Sequence, residues 1–374
     1  MNRLFVAAVA AGMVGSATTL GSVTAWAETS FIVPGTAPSP YPGLRALYRF
    51  DPATQPEIGG KYYDSAAATR EVVPYPGSLW PITGPDSATL GQSVQQGTNS
   101  LDSHIRNSDG NVTVTGLSQG VLALNSEQAR LAHDPTAPAP NELTFIKTGN
   151  PDHLFTKWFR PGTTVPVLDY TVPAPVESQY DTVEVVAQYD IFSDPLDRPG
   201  NLVALANAVI AGGSSHTATA FSDPTSVPAQ NVTTTTNSRG ATTTTYFIPA
   251  EQLPLVDYLS ESGLSPRAAA DLNRVLTPMV NRAYGPPPPP QPGVALPNLG
   301  ALNGVKGLNA LPITLPINAA TTATNLAANG LNAVNAINNV RKVLPKNGLP
   351  LPKPGVQLLP KKKIPFLPKG KKRR

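Results

Sequence analysis

The chain predicts an α/β domain with a mostly parallel central sheet, and three observations carry that expectation. Short β-rich runs alternate with helical segments over residues 28–284. One strand, Asn111 to Thr115, runs straight into a glycine-flanked serine and then into a helix. The chain has no cysteine, so disulfides and thiolate metal sites are excluded from its framework.

Taken in order, the first strand is Phe31-Ile32-Val33, closed by Pro34-Gly35-Thr36. Glu71 to Tyr75 forms a second, which Pro74 assigns to an edge or a strand end. Thr89 to Ile105 places Leu90, Val94, Leu101 and Ile105 at helical spacing, against the cost of Gly91 and Gly97. After the Asn111–Thr115 strand, Gln119 to Ala132 is a helix with Val121, Leu122, Leu124, Ala129 and Leu131 for its buried side. Leu143–Lys147 and Thr182–Gln188 are further strands. Between them, residues 150–181 form a long connection carrying Leu154, Phe155, Trp158, Phe159, Val165, Val167 and Leu168, and such loops commonly serve as lids or binding loops. Leu202–Ile210 is an apolar helix, followed by Gly212-Gly213-Ser214-Ser215-His216. Two threonine runs, 233–236 and 242–245, flank a turn and predict a hairpin. A helical region, Ser265 to Ala283, ends the folded part.

The two ends differ from the body. Residues 1–27 read as an export signal: Arg3, an apolar stretch from Leu4 to Val14, then Ala25-Trp26-Ala27 as a small-x-small cleavage pattern. The uncharged run is long enough to stay as an anchor, but its Gly, Ser and Thr residues favour cleavage. The mature chain is thus expected to be exported, periplasmic or envelope-associated, or secreted. At Gly285 the composition breaks into a five-proline run, Pro286 to Pro290, stiff and extended. Residues 285–374 read as a largely unstructured tail, within which Ala319–Leu344 has helical character. Thirteen of the 28 basic residues lie there with no Asp or Glu, so the remaining fifteen face all 24 acidic residues in 1–284. An acidic body with a basic end suits an anionic membrane or envelope surface. Export and the acidic body argue against a nucleic-acid partner.

The chemistry centres on Gly116-Leu117-Ser118-Gln119-Gly120. A strand, this pattern and a helix make a nucleophile elbow, in which small residues permit the tight turn and a helix start offers N–H groups to an oxyanion. This is the arrangement of an α/β-hydrolase. The serine needs a base, and the base needs an orienting carboxylate. In the order serine, acid, histidine, His216 alone qualifies among His104, His133, His153 and His216. The acid should follow a strand, which fits Asp190; Asp194 and Asp197 lie in the same loop, with helix capping or a pair with Arg198 as their other uses. Gly35-Thr36 is placed to supply a second oxyanion donor beside the backbone of Gln119. No phosphate-binding loop or metal-ligand cluster appears, and this chemistry requires no cofactor.

The ordered series Val33-Pro34-Gly35-Thr36, Val73 to Leu79, Ser93 to Gly97, Gly116 to Gly120, Tyr189-Asp190, Asp197-Arg198-Pro199, Asn201-Leu202 and His216 resembles the PE-PPE C-terminal domain family, serine α/β-hydrolases similar to cutinases. The likeness runs from Phe31 to Tyr258. It implies a Ser118–Asp190–His216 triad with Thr36 and Gln119 as oxyanion donors. It further implies an esterase or an acyltransferase acting on acylated, trehalose-based envelope glycolipids through an acyl-Ser118 intermediate. A plain carboxylesterase or lipase, and a non-catalytic envelope-binding protein, are the competing expectations. The sequence leaves the oligomeric state open.

Overall fold

The computed structural model describes residues 29–41, 51–66 and 68–285. Residues 1–27, expected as an export signal, the tail beyond Gly285 and the Ala319–Leu344 segment within it lie outside the described residues. The chain enters β1 (Thr29–Val33) and reaches β2 (Thr69–Val72) through a short 3-10 turn at Pro52–Glu57. Next come α1 (Leu90–Arg106), β3 (Val112–Leu117), α2 (Gln119–Leu131) and β4 (Leu143–Thr148). The 150–181 connection folds as α3 (Asp152–Trp158) and a small hairpin of β5 (Thr164–Val165) and β6 (Tyr170–Thr171). Then follow β7 (Thr182–Ala187), α4 (Leu202–Ala218), β8 (Val232–Thr236), β9 (Thr242–Ile248), α5 (Pro254–Glu261) and α6 (Pro266–Asn281).

Seven strands form the main sheet in the order β2-β1-β3-β4-β7-β9-β8, parallel throughout except for β8 against β9. This is an α/β-hydrolase-type sheet. Alternation along β1 shows that both faces are covered: Phe31 and Val33 join Leu101, Val114, Leu124 and Phe145 in one core, whereas Ile32 packs with Ile58, Leu117 and Ala220 in another. A third core joins α4, α5 and α6 through Leu205, Ala208, Val256, Leu276 and Val280. Each fully buried Leu, Ile or Val contributes roughly 1.5–3 kcal/mol of transfer free energy.

The sheet order decides where a site can form. From β1 the chain goes first to one side, to β2, and then to the other, to β3, so the connections diverge between β1 and β3. Ligands in such sheets bind outside the carboxyl ends of the strands at that divergence. Val33 ends β1 in register with Gly116 of β3, which puts Gly35 and Ser118 at that position.

Several expected elements change on folding. The second strand is shorter than Glu71–Tyr75 and is the sheet edge that Pro74 implied. Gly91 and Gly97 are tolerated in α1 because a β-carbon would lie 1.7 Å from the Asp169 carbonyl oxygen or 2.9 Å from the Tyr75 ring. A Thr89–Gln92 capping box starts that helix. Ala129 is only half-buried, whereas Glu127 on the same helix is fully buried and paired with Arg130 at 2.7 Å. The 150–181 connection departs from the lid expectation. Its Leu154, Phe155 and Val165 are buried, Trp158, Phe159 and Leu168 pack against the cores, and Val167 alone of those named is exposed. Among the described residues, no helix is long and apolar enough to cross a membrane.

Candidate active site

Ser118 sits between β3 and α2 at φ 54°, ψ −120°, a region that a side chain other than glycine's rarely occupies. The flanking sequence allows this turn. A β-carbon at Gly120 would lie 2.0 Å from the Val33 carbonyl oxygen, and one at Gly116 would press on Leu124 at 3.1 Å. The Ser118 N–H donates to the Thr148 carbonyl at 3.0 Å, which ties the elbow to the end of β4. Gln119 opens α2, so its backbone N–H points out of a helix start. Its side-chain amide donates to the Ser78 carbonyl at 2.5 Å.

The loop after β1 lies against this turn. A β-carbon on Gly35 would stand 3.3 Å from Ser118 Cβ, so Gly35-Thr36 and Ser118 are adjacent as expected. Tyr75 donates its hydroxyl to the Pro34 carbonyl at 2.5 Å, and the Ala37 N–H bonds the Gly77 carbonyl at 2.7 Å. These bonds hold the loop that carries Thr36.

Asp190 and His216 are brought together and fully buried, with His216 Nδ1 2.7 Å from Asp190 Oδ2. The same carboxylate oxygen accepts from the Ser193 hydroxyl at 2.6 Å and from the Ser193 N–H at 3.2 Å; Oδ1 accepts from the Phe192 N–H at 3.1 Å. Four donors around this carboxylate fix its orientation. Phe192 packs on the imidazole with ring centroids 4.7 Å apart. Gly149, at φ 62°, supports the ring from another side: a β-carbon there would fall 2.8 Å from His216 Nδ1 and Cε1. The other ring nitrogen, Nε2, is buried and makes no hydrogen bond among the described residues.

His216 lies inside α4, whereas the sequence placed it in a loop after Ile210. The helix runs on to Ala218 because Gly212 lets it approach the Asp190 turn, its absent β-carbon being 2.9 Å from Ile191 and 3.1 Å from Phe192. The two other acids of the loop have different partners. Asp194 accepts the Tyr189 N–H at 2.8 Å, bracing Tyr189 at φ 68° just before Asp190. Burial pushes the Asp194 carboxyl up to about 6. Asp197 pairs with Lys157 at 2.6 Å, not with Arg198, and accepts the Gly285 N–H at 2.5 Å. Neither touches His216. Sequence reasoning missed Ser193, Gly149 and Thr148, whose roles arise from contacts between loops that no local pattern announces. Among the described residues, no group of three or more His, Asp and Glu is gathered so as to hold a metal ion.

Comparison with known proteins adds identity to this geometry. Residues 66–285 match the PE-PPE domain. The chain is 56% identical over 313 residues to the SL1278 acyltransferase Chp1 of Mycobacterium tuberculosis (strain ATCC 25618 / H37Rv), covering 83% of this chain and 76% of that protein. It is 40% identical over 318 residues to the diacyltrehalose acyltransferase Chp2 of the same strain, covering 76% and 88%. To the esterase PE16 of that strain it is 31% identical over 207 residues, covering 53% and 38%.

Proposed function

The chain belongs to the PE-PPE domain family, and we propose that it is a serine acyltransferase moving acyl groups between acylated trehalose glycolipids of the cell envelope. The observation that carries the serine chemistry is the fully buried His216–Asp190 pair at 2.7 Å, whose imidazole rests on Gly149 beside the Thr148 carbonyl that holds Ser118 at φ 54°. In this reading Ser118 Oγ attacks the ester carbonyl carbon while His216 Nε2 takes its proton. The carbonyl oxygen becomes an oxyanion facing the N–H groups of Gln119 and Thr36. The ester C–O bond then breaks, His216 returns the proton to the departing sugar oxygen, and an acyl-Ser118 ester remains. A hydroxyl of a second glycolipid attacks that ester with the same proton transfers in reverse order. Asp190 keeps Nδ1 protonated and stabilises the imidazolium.

The preference for transfer over hydrolysis draws on the two acyltransferase relatives. The 150–181 connection does not supply it, because its apolar side chains are spent on the body. The esterase relative favours plain hydrolysis as the second reading. The purified chain, given an acylated trehalose, should yield more and less acylated glycolipids together, read by mass spectrometry; free fatty acid as the dominant product would establish the esterase. A fluorophosphonate should label the chain once, and Ser118→Ala should remove both label and turnover. A folded parent chain that resists the reagent would leave an envelope-binding protein without catalysis.

The same reading makes the chain an exported protein, with residues 1–27 as its signal and the basic tail as its hold on anionic lipid. Clustered Lys and Arg near such a surface contribute about 1 kcal/mol each, screened by salt. Truncation after Gly285 should keep hydrolysis of a soluble short-chain ester and weaken binding to anionic vesicles. Undiminished vesicle binding would remove the tail from that role.

A further inference from the structure

We propose that His153 and Glu184 form a positioning pair that holds the Asp190 turn in place through the backbone of Phe192 and Ser193. The inference rests on the reading of Ser118, Asp190 and His216 as the reacting group. His153 Nδ1 lies 2.6 Å from the Ser193 carbonyl oxygen, and its Nε2 lies 3.1 Å from Glu184 Oε1. The next residue on α3, Leu154, donates its N–H to the Phe192 carbonyl at 3.1 Å. Two successive carbonyls of the turn are thus held from α3, while the N–H groups of those same two residues, with the Ser193 hydroxyl, grip the Asp190 carboxylate. One segment faces α3 with its acceptors and Asp190 with its donors. A shift in α3 is therefore transmitted to the carboxylate that orients His216.

The chemistry of the pair suits this task. A neutral imidazole has a single N–H, so an imidazole between a carbonyl and a carboxylate satisfies both only as the cation. Burial works against that charge, but the hydrogen bond and the charge of Glu184 outweigh it and hold His153 near 9. The same contact brings Glu184, also opposed by burial, down to about 2. The other charged groups around them act in the same sense or weakly: Asp152 on α3 favours the imidazolium, Asp194 faces it across the turn, and Lys147 of β4 favours the Glu184 carboxylate. Asn150 donates to Glu184 at 2.8 Å, which fixes the carboxylate from a further side. The pair touches no reacting atom. Its effect is on geometry, where an error of about 1 Å costs up to 10²-fold in rate.

The test compares His153→Ala with His153→Asn in the full chain, using a soluble short-chain ester and Ser118→Ala as a control. The asparagine amide nitrogen stands near the place of Nδ1 and keeps the bond to Ser193, whereas alanine loses it. His153→Ala should lower kcat by about tenfold to 10²-fold with KM changed by less than about twofold. His153→Asn should recover to within about threefold of the parent, with the two variants melting within a few degrees of each other. A folded His153→Ala with unchanged kcat, or an asparagine variant as slow as alanine, overturns the proposal while the serine reading stands. If the alanine variant does not fold, His153→Gln replaces it, because its longer amide reaches the Nε2 position instead; equal rates for glutamine and asparagine overturn the proposal. Turnover that survives Ser118→Ala overturns this inference together with the reading beneath it.

Discussion

The molecule contains two carboxylate–imidazole pairs that share the Asp190 turn, and their settings differ. In the Asp190–His216 pair both side chains are fully buried, and one imidazole nitrogen makes no hydrogen bond among the described residues. In the Glu184–His153 pair the side chains are 15% and 35% exposed, and both nitrogens of the imidazole lie near acceptors. Saturation makes the second pair a brace: its proton has nowhere useful to go. The first pair has a nitrogen in reserve. The difference lies in the count of acceptors around each ring, since the residue types are nearly the same.

The largest expected effect comes from removing the nitrogen in reserve. His216→Ala should lower turnover by roughly 10⁴-fold or more, whereas His153→Ala should stay within about 10²-fold. Comparable losses, measured as kcat on one ester, would abolish the distinction between the pairs. A second comparison tests the acid. Asp190→Asn should cost on the order of 10⁴-fold, and Asp194→Asn less than about tenfold, because Asp194 braces the Tyr189 backbone and not the imidazole. The reverse ranking would move the acid to Asp194.

The smallest effect is on stability. His153 is raised in the folded chain from 6.5 to about 9, so its contribution is full below pH 6.5 and is lost as pH rises through 9. Because over a third of the side chain is exposed, solvent screening limits it to about 1 kcal/mol at most. Denaturant unfolding at pH 6.5 and 9.5 should show a smaller decline for His153→Asn than for the parent. Equal declines would show that the brace carries no net charge in solution.

Much of this arrangement was legible in the residues. The strand, glycine-flanked serine and helix could be read because the elbow is local, and steric demands at Gly116 and Gly120 leave few alternatives. The threonine hairpin was legible from its turn, and pairs as Val232–Thr236 with Thr242–Tyr246. Chain order singles out His216 but not its element, because Gly212-Gly213-Ser214-Ser215 reads as a helix breaker. Packing against Ile191 and Phe192 overrides that propensity, as tertiary contacts routinely do. The helix at Pro254–Glu261 is not among the expected elements, although Pro254 at its first position is a start signal. His153 precedes Asp190 in sequence, so the order serine, acid, histidine does not find it. Its partners Glu184 and Ser193 are 31 and 40 residues away, and no spacing rule connects them.

The end of the described chain is fastened to the loop that also carries Asp190. The N–H groups of Asp197 and Arg198 bond the Ala283 carbonyl, the Arg198 guanidinium reaches the Arg282 and Tyr284 carbonyls, and Gly285 closes on the Asp197 carboxylate. Asp197 is also the partner of Lys157 on α3. Any tension on the chain beyond Gly285 is therefore delivered to one small region. The same aspartate links the end of the described chain to α3, whose Leu154 N–H meets the Phe192 carbonyl in the Asp190 turn. A surface that held the chain beyond Gly285 would act on the flank of the molecule that carries Asp190.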